Sequence, residues 1–471
     1  MIRNYLLIAW RNLVKHRGTT LINLSGLSIG LASALIILIY VRYETGYDGF
    51  HAQSDRLYRV LTIDEALGVS SNLVGITLPA LGPAMAENIP GVARTARFLN
   101  PGRAALRYGE ERIYTEHMKL VEPAFFEMFD YPILAGNPAE DLKAPRTALV
   151  TESMARRMFG EAEPIGQVFE NQGRAIEVVG IMADPPSQSH LDFDVVISLY
   201  PAEADSNLAQ FLQSWGSISM VTYAQLQEAD MESRVEAEME KLIRQHDVGE
   251  NFKVTLQPLD EVHLGSSDIL FDGYNVNKTD ATYVYTLLVV AFFIILIAAF
   301  NFMNLSTARS ARRAREVGMR KVLGALRGQL IGQFLSESVL LCLLSLGAAL
   351  LLTALVSEWA VLDLPRNAIA LLVQDGPLLL GLLAGTLILG LLAGSYPAFL
   401  LSGFQPVKVL KGRFSGSGQG LWLRRALVVV QFTVSIAMIT GTLIVYGQLD
   451  MIRSQDKGFD PEQVVVMQLN D

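Results

Sequence analysis

The chain of 471 residues has a single cysteine, Cys342, so no disulfide can close within it and a small disulfide-stapled scaffold is excluded. Charge is scarce as well. Only 18% of the residues are Asp, Glu, Lys or Arg, with 38 basic against 47 acidic, and the mean hydropathy is +0.32. Those values exclude a disordered chain and a basic nucleic-acid binder. No GxxxxGK[ST] occurs, so the chain has no phosphate-cradling loop of its own. Its six histidines, His16, His51, His117, His190, His246 and His263, form no HExxH and no pair at ligand spacing, and one cysteine cannot make a zinc knuckle. The expectation is a chain with no catalytic residues, no metal and no bound cofactor.

What the sequence does contain is five runs without a charged residue: Thr19 to Val41, Ala281 to Ala308, Ser338 to Ser357, Gly376 to Val407 and Ala426 to Leu449. Each reaches the roughly 20 residues that a helix needs to cross a bilayer core. Runs such as Leu287 to Phe300 lack the period-two alternation of a barrel strand, so the spans read as helices. Basic residues collect before the first run (Arg3, Arg11, Lys15, Arg17), after the second (Arg309 to Arg327) and after the fourth (Lys408 to Arg425), which assigns those loops to the cytoplasm. The segment Tyr43 to Asp280 then lies outside; it holds 18 basic against 37 acidic residues, while the rest of the chain is net positive. An acidic face there is most simply a solubility device. The first run is too long for the apolar core of a signal peptide, so it is expected to stay as an anchor.

The expected organisation is a cytoplasmic amphipathic segment (1–18), a first span (19–42), an external α+β domain (43–280), a second span (281–303), a cytoplasmic loop or helix (304–329) and a third span (330–357). An external loop (358–376), a fourth span (377–402), a basic cytoplasmic linker (403–425), a fifth span (426–448) and an external stub (449–471) follow. Strands are expected at Arg59 to Ile63, Thr147 to Thr151, Ile176 to Ile181, Val195 to Ser198, Met220 to Leu226 and Lys253 to Leu256. Helices are expected at Ala80 to Glu87, Glu152 to Phe159 (stopped by Gly160) and Met231 to His246.

Gly26-Leu27-Ser28-Ile29-Gly30 is a GxSxG, yet it lies in a membrane run, where Gly26 and Gly30 serve helix packing; a hydrolase using Ser28 lacks the strand-turn-helix setting of that motif. Gly381/Gly385 and Gly390/Gly394 repeat the small-residue spacing in the fourth span. Glu337 borders the third span, either as a gating acid or as a snorkelling or first-turn acid, and Pro397 should kink the end of the fourth. The segment Asn304 to Leu323 sets basic residues at helical spacing with Val317, Met319, Val322 and Leu323 between them. It reads as a lipid-surface anchor or as a docking helix for a cytoplasmic partner, with Glu316 able to pair with Arg312 or Arg320.

At this segment the chain resembles the FtsX-like and MacB-like permeases of ATP-binding-cassette transporters. REVGMRKVLGA (Arg315 to Ala325) and FLSES (Phe334 to Ser338) carry the likeness, with AWRNLVKHRGTTLINLSGLSIGLA (Ala9 to Ala32), TALVTESMARRMFGEAEPIGQ (Thr147 to Gln167) and GSYPAFLLSGFQPVKVLKG (Gly394 to Gly412) in the same order. The resemblance implies an external domain of two lobes in the periplasm of an inner-membrane protein, and a partner ATPase dimer in the cytoplasm that binds ATP and Mg. It implies mechanotransmission, in which association of permeases driven by ATP moves the external domains. Arg312, Arg315, Glu316, Gly318, Arg320, Lys321 and Gly324 would lie in or beside the helix that contacts the ATPase. A fifth span and the stub Gly458 to Asp471 depart from a member with four helices and resemble the start of a second copy in a tandem chain, so a second permease copy or second half is an expected partner. The function implied is export or extraction of peptides, drugs or lipoproteins, with a periplasmic adaptor and membrane lipids as further partners and no nucleic acid. The alternative is signalling without cargo, activating a cell-wall hydrolase or a sensor kinase.

Overall fold

The computed structural model describes residues 2–64, 73–200, 205–246, 248, 252–308, 310–358, 372, 375–403 and 418–454. Most of the expected external loop (358–376), the basic linker at 404–417 and the stub Gly458 to Asp471 lie outside the described residues. The chain divides into a helical unit and a second compact unit, Tyr43–Tyr283.

Among the described residues five helices are long and apolar enough to cross a membrane: Arg17–Glu44, Ala281–Ala308, Arg327–Ser357, Gly376–Ser402 and Arg425–Ser454. Their apolar runs are those without charge; the first, third and fifth helices extend past theirs and the second coincides with its run. The first four share one core, in which Leu27, Leu31 and Leu35 meet Ala298, Phe302, Cys342, Leu346 and Ala393. The fifth buries none of its apolar window among the described residues, and Asn304 Nδ2 donates to its Gln431 Oε1 at 3.4 Å. The N-terminal helix Ile2–Lys15 buries Ala9 and Leu13 and sets the Tyr5 ring 3.6 Å from where a Cβ of Gly332 would stand. Leu7, Trp10 and Val14 are exposed on it, so this helix has one face in the bundle and a second apolar face pointing outward.

The unit Tyr43–Tyr283 is α+β. One continuous sheet runs from Phe252–Pro258 at one edge through Leu57–Asp64, Val221–Leu226, Val92–Leu99, Met118–Val121, Val195–Ser198, Thr147–Thr151, Arg174–Met182, Val168–Asn171 and Ala104–Tyr108 to Glu111–Thr115. Val195–Ser198 is parallel to Met118–Val121, and Thr147–Thr151 to Arg174–Met182, so the sheet is mixed. Helices Leu81–Asn88 and Glu232–Gln245 cover one end, where Leu81, Met85, Val235 and Met239 pack with Tyr58 and Val60. Helix Glu152–Phe159 covers the other, packing Met154, Met158 and Phe159 on Val150 and Val178. An aromatic cluster of Phe98, Phe125, Phe129, Tyr131, Phe193 and Tyr223 fills the middle.

Candidate coupling surface

The segment singled out in the sequence forms the helix Ser310–Val322. Val317, 1% exposed, packs with Leu330, Phe334, Ala398 and Leu401 of the third and fourth spans, and Gly318 is buried beside it. Lys321 Nζ donates to the carbonyl of Ser402 at 2.6 Å, where the end of the fourth span leaves carbonyls without helical partners and a partial negative charge. Arg320 spans two elements, with Nη2 2.6 Å from Glu316 Oε1 one turn back and Nη1 2.9 Å from Gln333 Oε1 on the third span. The expected pair of Glu316 is thus made with Arg320. The side chains of Arg312 and Arg315 lie outside the described residues. Gly324 ends the helix at φ +96°, a left-handed conformation that glycine adopts without strain, and the Ala325 N–H closes back on the Arg320 carbonyl at 3.0 Å.

Val317 is turned inward, while four apolar residues at the C-terminal end of the helix and in the turn after it stand open. Met319, Val322, Leu323 and Leu326 are 53%, 61%, 80% and 68% exposed. Sequence reasoning grouped Val317 with Met319, Val322 and Leu323; the structure separates it from them, because the helix rests on Leu401 and Phe334 through that side alone. Leu326 was missed. Its signal was present, an apolar residue just beyond a glycine helix stop.

The expected packing glycines divide. A Cβ at Gly30 would stand 2.7 Å from Ala298 Cβ, one at Gly26 3.3 Å from Asn301 Nδ2, one at Gly390 3.0 Å from Val339 Cα, and one at Gly394 2.5 Å from Ser338. Gly381 and Gly385 have nothing within 4 Å among the described residues. Glu337 is not an acid of the first turn: its helix starts at Arg327, almost three turns earlier, so the terminal dipole is too distant to favour it. Asn12 Nδ2 lies 3.5 Å from its Oε2. Pro397 sits inside the helix of the fourth span, five residues before its last residue, Ser402. Asn23, Ser306, Glu337, Ser338 and Pro397 line one small cavity of about 40 Å³. Ser28 is 3% exposed within the bundle, closed to any substrate. Among the described residues no three His, Cys, Asp or Glu side chains gather as metal ligands.

In the other unit, buried polar groups act as ties. Arg59 is fully buried, with Nη1 2.6 Å from Asp272 Oδ1 and 3.0 Å from the Tyr274 hydroxyl, and Nη2 2.6 Å from Gln257 Oε1. Its charge is held well above the usual range by Tyr274, Tyr223 and Asp272 against the cost of burial. His51 Nδ1 accepts the Asp130 N–H at 3.0 Å, its Nε2 is buried without a partner among the described residues, and burial pushes its pKa down to about 4. His263 Nε2 lies 2.7 Å from Glu44 Oε2, and burial lowers its pKa as well.

Residues 20–242 match the MacB-like periplasmic core domain family, and residues 288–406 match the FtsX-like permease C-terminal family. The chain is 25% identical over 223 residues to an uncharacterized ABC transporter permease, YknZ, of Bacillus subtilis, covering 46% of this chain and 48% of that one. It is 25% identical over 384 residues to the pyoverdine export ATP-binding/permease protein PvdT of Pseudomonas savastanoi, covering 75% and 53%. It is 24% identical over 377 residues to the macrolide export ATP-binding/permease protein MacB of Burkholderia cenocepacia, covering 75% and 51%. The chain therefore spans about half the length of the curated relatives it matches.

Proposed function

We propose that this chain, which belongs to the ABC transporter permeases that join a MacB-like periplasmic core domain to an FtsX-like permease domain, is the membrane subunit through which a separate cytoplasmic ATPase drives work at the external domain. The observation that carries this reading is the group of exposed apolar residues Met319, Val322, Leu323 and Leu326, at the C-terminal end of a helix anchored to two spans and in the turn that follows it. A helix serving only as a lipid anchor would need no fixed tie to the bundle. A helix that transmits force does, because displacement at its outer face must move the third and fourth spans rather than bend the loop.

In this reading ATP and Mg are bound by the partner, since no Walker loop occurs in these 471 residues. The basic loops face the cytoplasm of the inner membrane and Tyr43–Tyr283 faces the periplasm. ATP-driven association would bring two permease units together, as two copies or as halves of one chain, and the external domains would act on peptides, drugs or lipoproteins by mechanotransmission. The test is to purify the full chain with its native partners in mild detergent. Leu323→Asp is expected to insert normally and lose a stoichiometric nucleotide-binding protein that the parent chain retains; retention of that protein by the variant would contradict the proposal.

A further inference from the structure

In the external unit a cleft of about 180 Å³ opens beside strands Met118–Val121 and Val195–Ser198 and belongs to none of the machinery above. Its floor is apolar: Met118, Leu120, Ile176 and Ile197. Its rim carries Arg146, Arg174, Asp205 and Tyr200. Two features set the rim apart from the rest of the unit.

One is charge. The segment Tyr43 to Asp280 has twice as many acids as bases, yet this rim sets two guanidinium groups against one carboxylate. That carboxylate is shared: Asp205 Oδ1 accepts the Leu208 N–H at 3.2 Å as the cap of helix Ser206–Leu212, while its Oδ2 lies 3.5 Å from Arg174 Nη2. Arg146 is exposed, and its guanidinium enters no hydrogen bond or ion pair among the described residues. The other feature is backbone conformation. Of the four non-glycine residues with positive φ among the described residues, two line this cleft, Arg146 at +60° and Gln172 at +51°. Gln172 precedes Gly173 at the tip of a hairpin and needs no further reason. Arg146 has none of that kind; its left-handed backbone is uncommon for a long side chain, and such conformations collect at ligand sites.

An apolar floor with two cations at its mouth has one complement. We infer that this cleft binds an aliphatic carboxylate, seating the hydrocarbon on Met118, Leu120, Ile176 and Ile197 and the carboxylate between Arg146 and Arg174. The volume is many times the roughly 10–15 Å³ that one water needs, so the cleft has room for a ligand of several heavy atoms. The carboxylate can come from a peptide C-terminus or from a short fatty acid. The inference goes beyond the permease reading and stands apart from it, since binding here requires neither ATP nor a partner.

The test is calorimetric titration of the full purified chain with N-acetyl-leucine, its amide, a peptide ending in leucine and octanoate. Saturable binding of the carboxylates, with the amide roughly tenfold weaker or worse, is expected from a lost charge-assisted contact. Arg146→Gly keeps the left-handed backbone and removes the cation, and Arg174→Gln removes the other; each should weaken carboxylate binding by a similar factor. A tighter peptide assigns the source as a chain terminus and tighter octanoate assigns it as lipid-derived; both outcomes support the site. Absence of saturable binding by the parent chain up to about 10 mM, equal affinity for the amide, or unchanged affinity in both variants would overturn it.

Discussion

Lys321 Nζ stands 2.6 Å from the backbone carbonyl oxygen of Ser402, so the loop helix is pinned to the last turn of the fourth span. The contact pairs a full positive charge with the negative end of a helix, and its loss should cost about 1–2 kcal/mol locally. Lys321→Met keeps the aliphatic stem and removes the donor. Backbone amides of 316–324 are then expected to exchange roughly tenfold faster by mass spectrometry, with Lys321→Arg in between. Unchanged protection would mean that Val317 packing and the Arg320–Gln333 contact hold the helix without Lys321.

Gly30 and Gly385 lie in similar sequence patterns but not in similar surroundings. Gly30→Ala drives a methyl to 2.7 Å from Ala298 Cβ and should destabilise the bundle by about 1–3 kcal/mol. Gly385→Ala meets open space and should be neutral or stabilise by up to about 1 kcal/mol through helix propensity. Thermal unfolding of the two purified variants separates them by sign.

Removing Arg59 leaves Asp272 charged and fully buried. Arg59→Met is expected to cost about 3–5 kcal/mol, toward the lower end because Lys278 Nζ lies 3.6 Å from Asp272 Oδ2. The double variant Arg59→Met, Asp272→Leu should recover much of the loss, since it removes both charges. Urea unfolding of the single and double variants decides it.

Acid should loosen the external unit before most of its carboxylates titrate. With the folded pKa of His51 down at about 4 against an ordinary 6.5, the unfolded chain binds the extra proton first. Stability from this residue is complete above about pH 6.5 and is lost as pH falls toward about 4, by on the order of 3 kcal/mol. His263 is shifted the same way and adds to the slope. His51→Gln should flatten the fall in thermal stability between pH 7 and pH 5; an unchanged slope would locate the titration elsewhere.

How much of this was legible depends on how local each cause is. The five spans could be read because a bilayer tolerates almost no charge, and a run such as Ala281 to Ala308 says so without help from any neighbour. Strand Thr147–Thr151 and helix Glu152–Phe159 came out to the residue, since Thr151 Oγ1 accepts the Met154 N–H as a cap and Gly160, at φ +62°, ends the helix. Strand Val92–Leu99 was missed because Arg94 and Arg97 break its apolar pattern. The buried Arg97 makes sense only once Glu122 and the carbonyls of Pro79 and Leu212 have come to it from distant parts of the chain. Lys119, held by Asn100 Oδ1 at 2.8 Å, hid strand Met118–Val121 in the same way. At the proposed coupling surface the basic pattern and Glu316 were visible in the sequence. The split between Val317 and Leu323 was not, because it is decided by Phe334 and Leu401.

The most direct test of the coupling surface uses the scarcity of cysteine. Cys342 is fully buried, so Leu323→Cys creates one reactive thiol at the most exposed position of the apolar face. Treated in native membranes with a short thiol-to-amine crosslinker, this variant should form one adduct, with a nucleotide-binding protein, which ATP and its slowly hydrolysed analogues change in yield, while the parent chain forms none. An adduct only with lipid or with nothing, in membranes where that ATPase is present, would contradict the account.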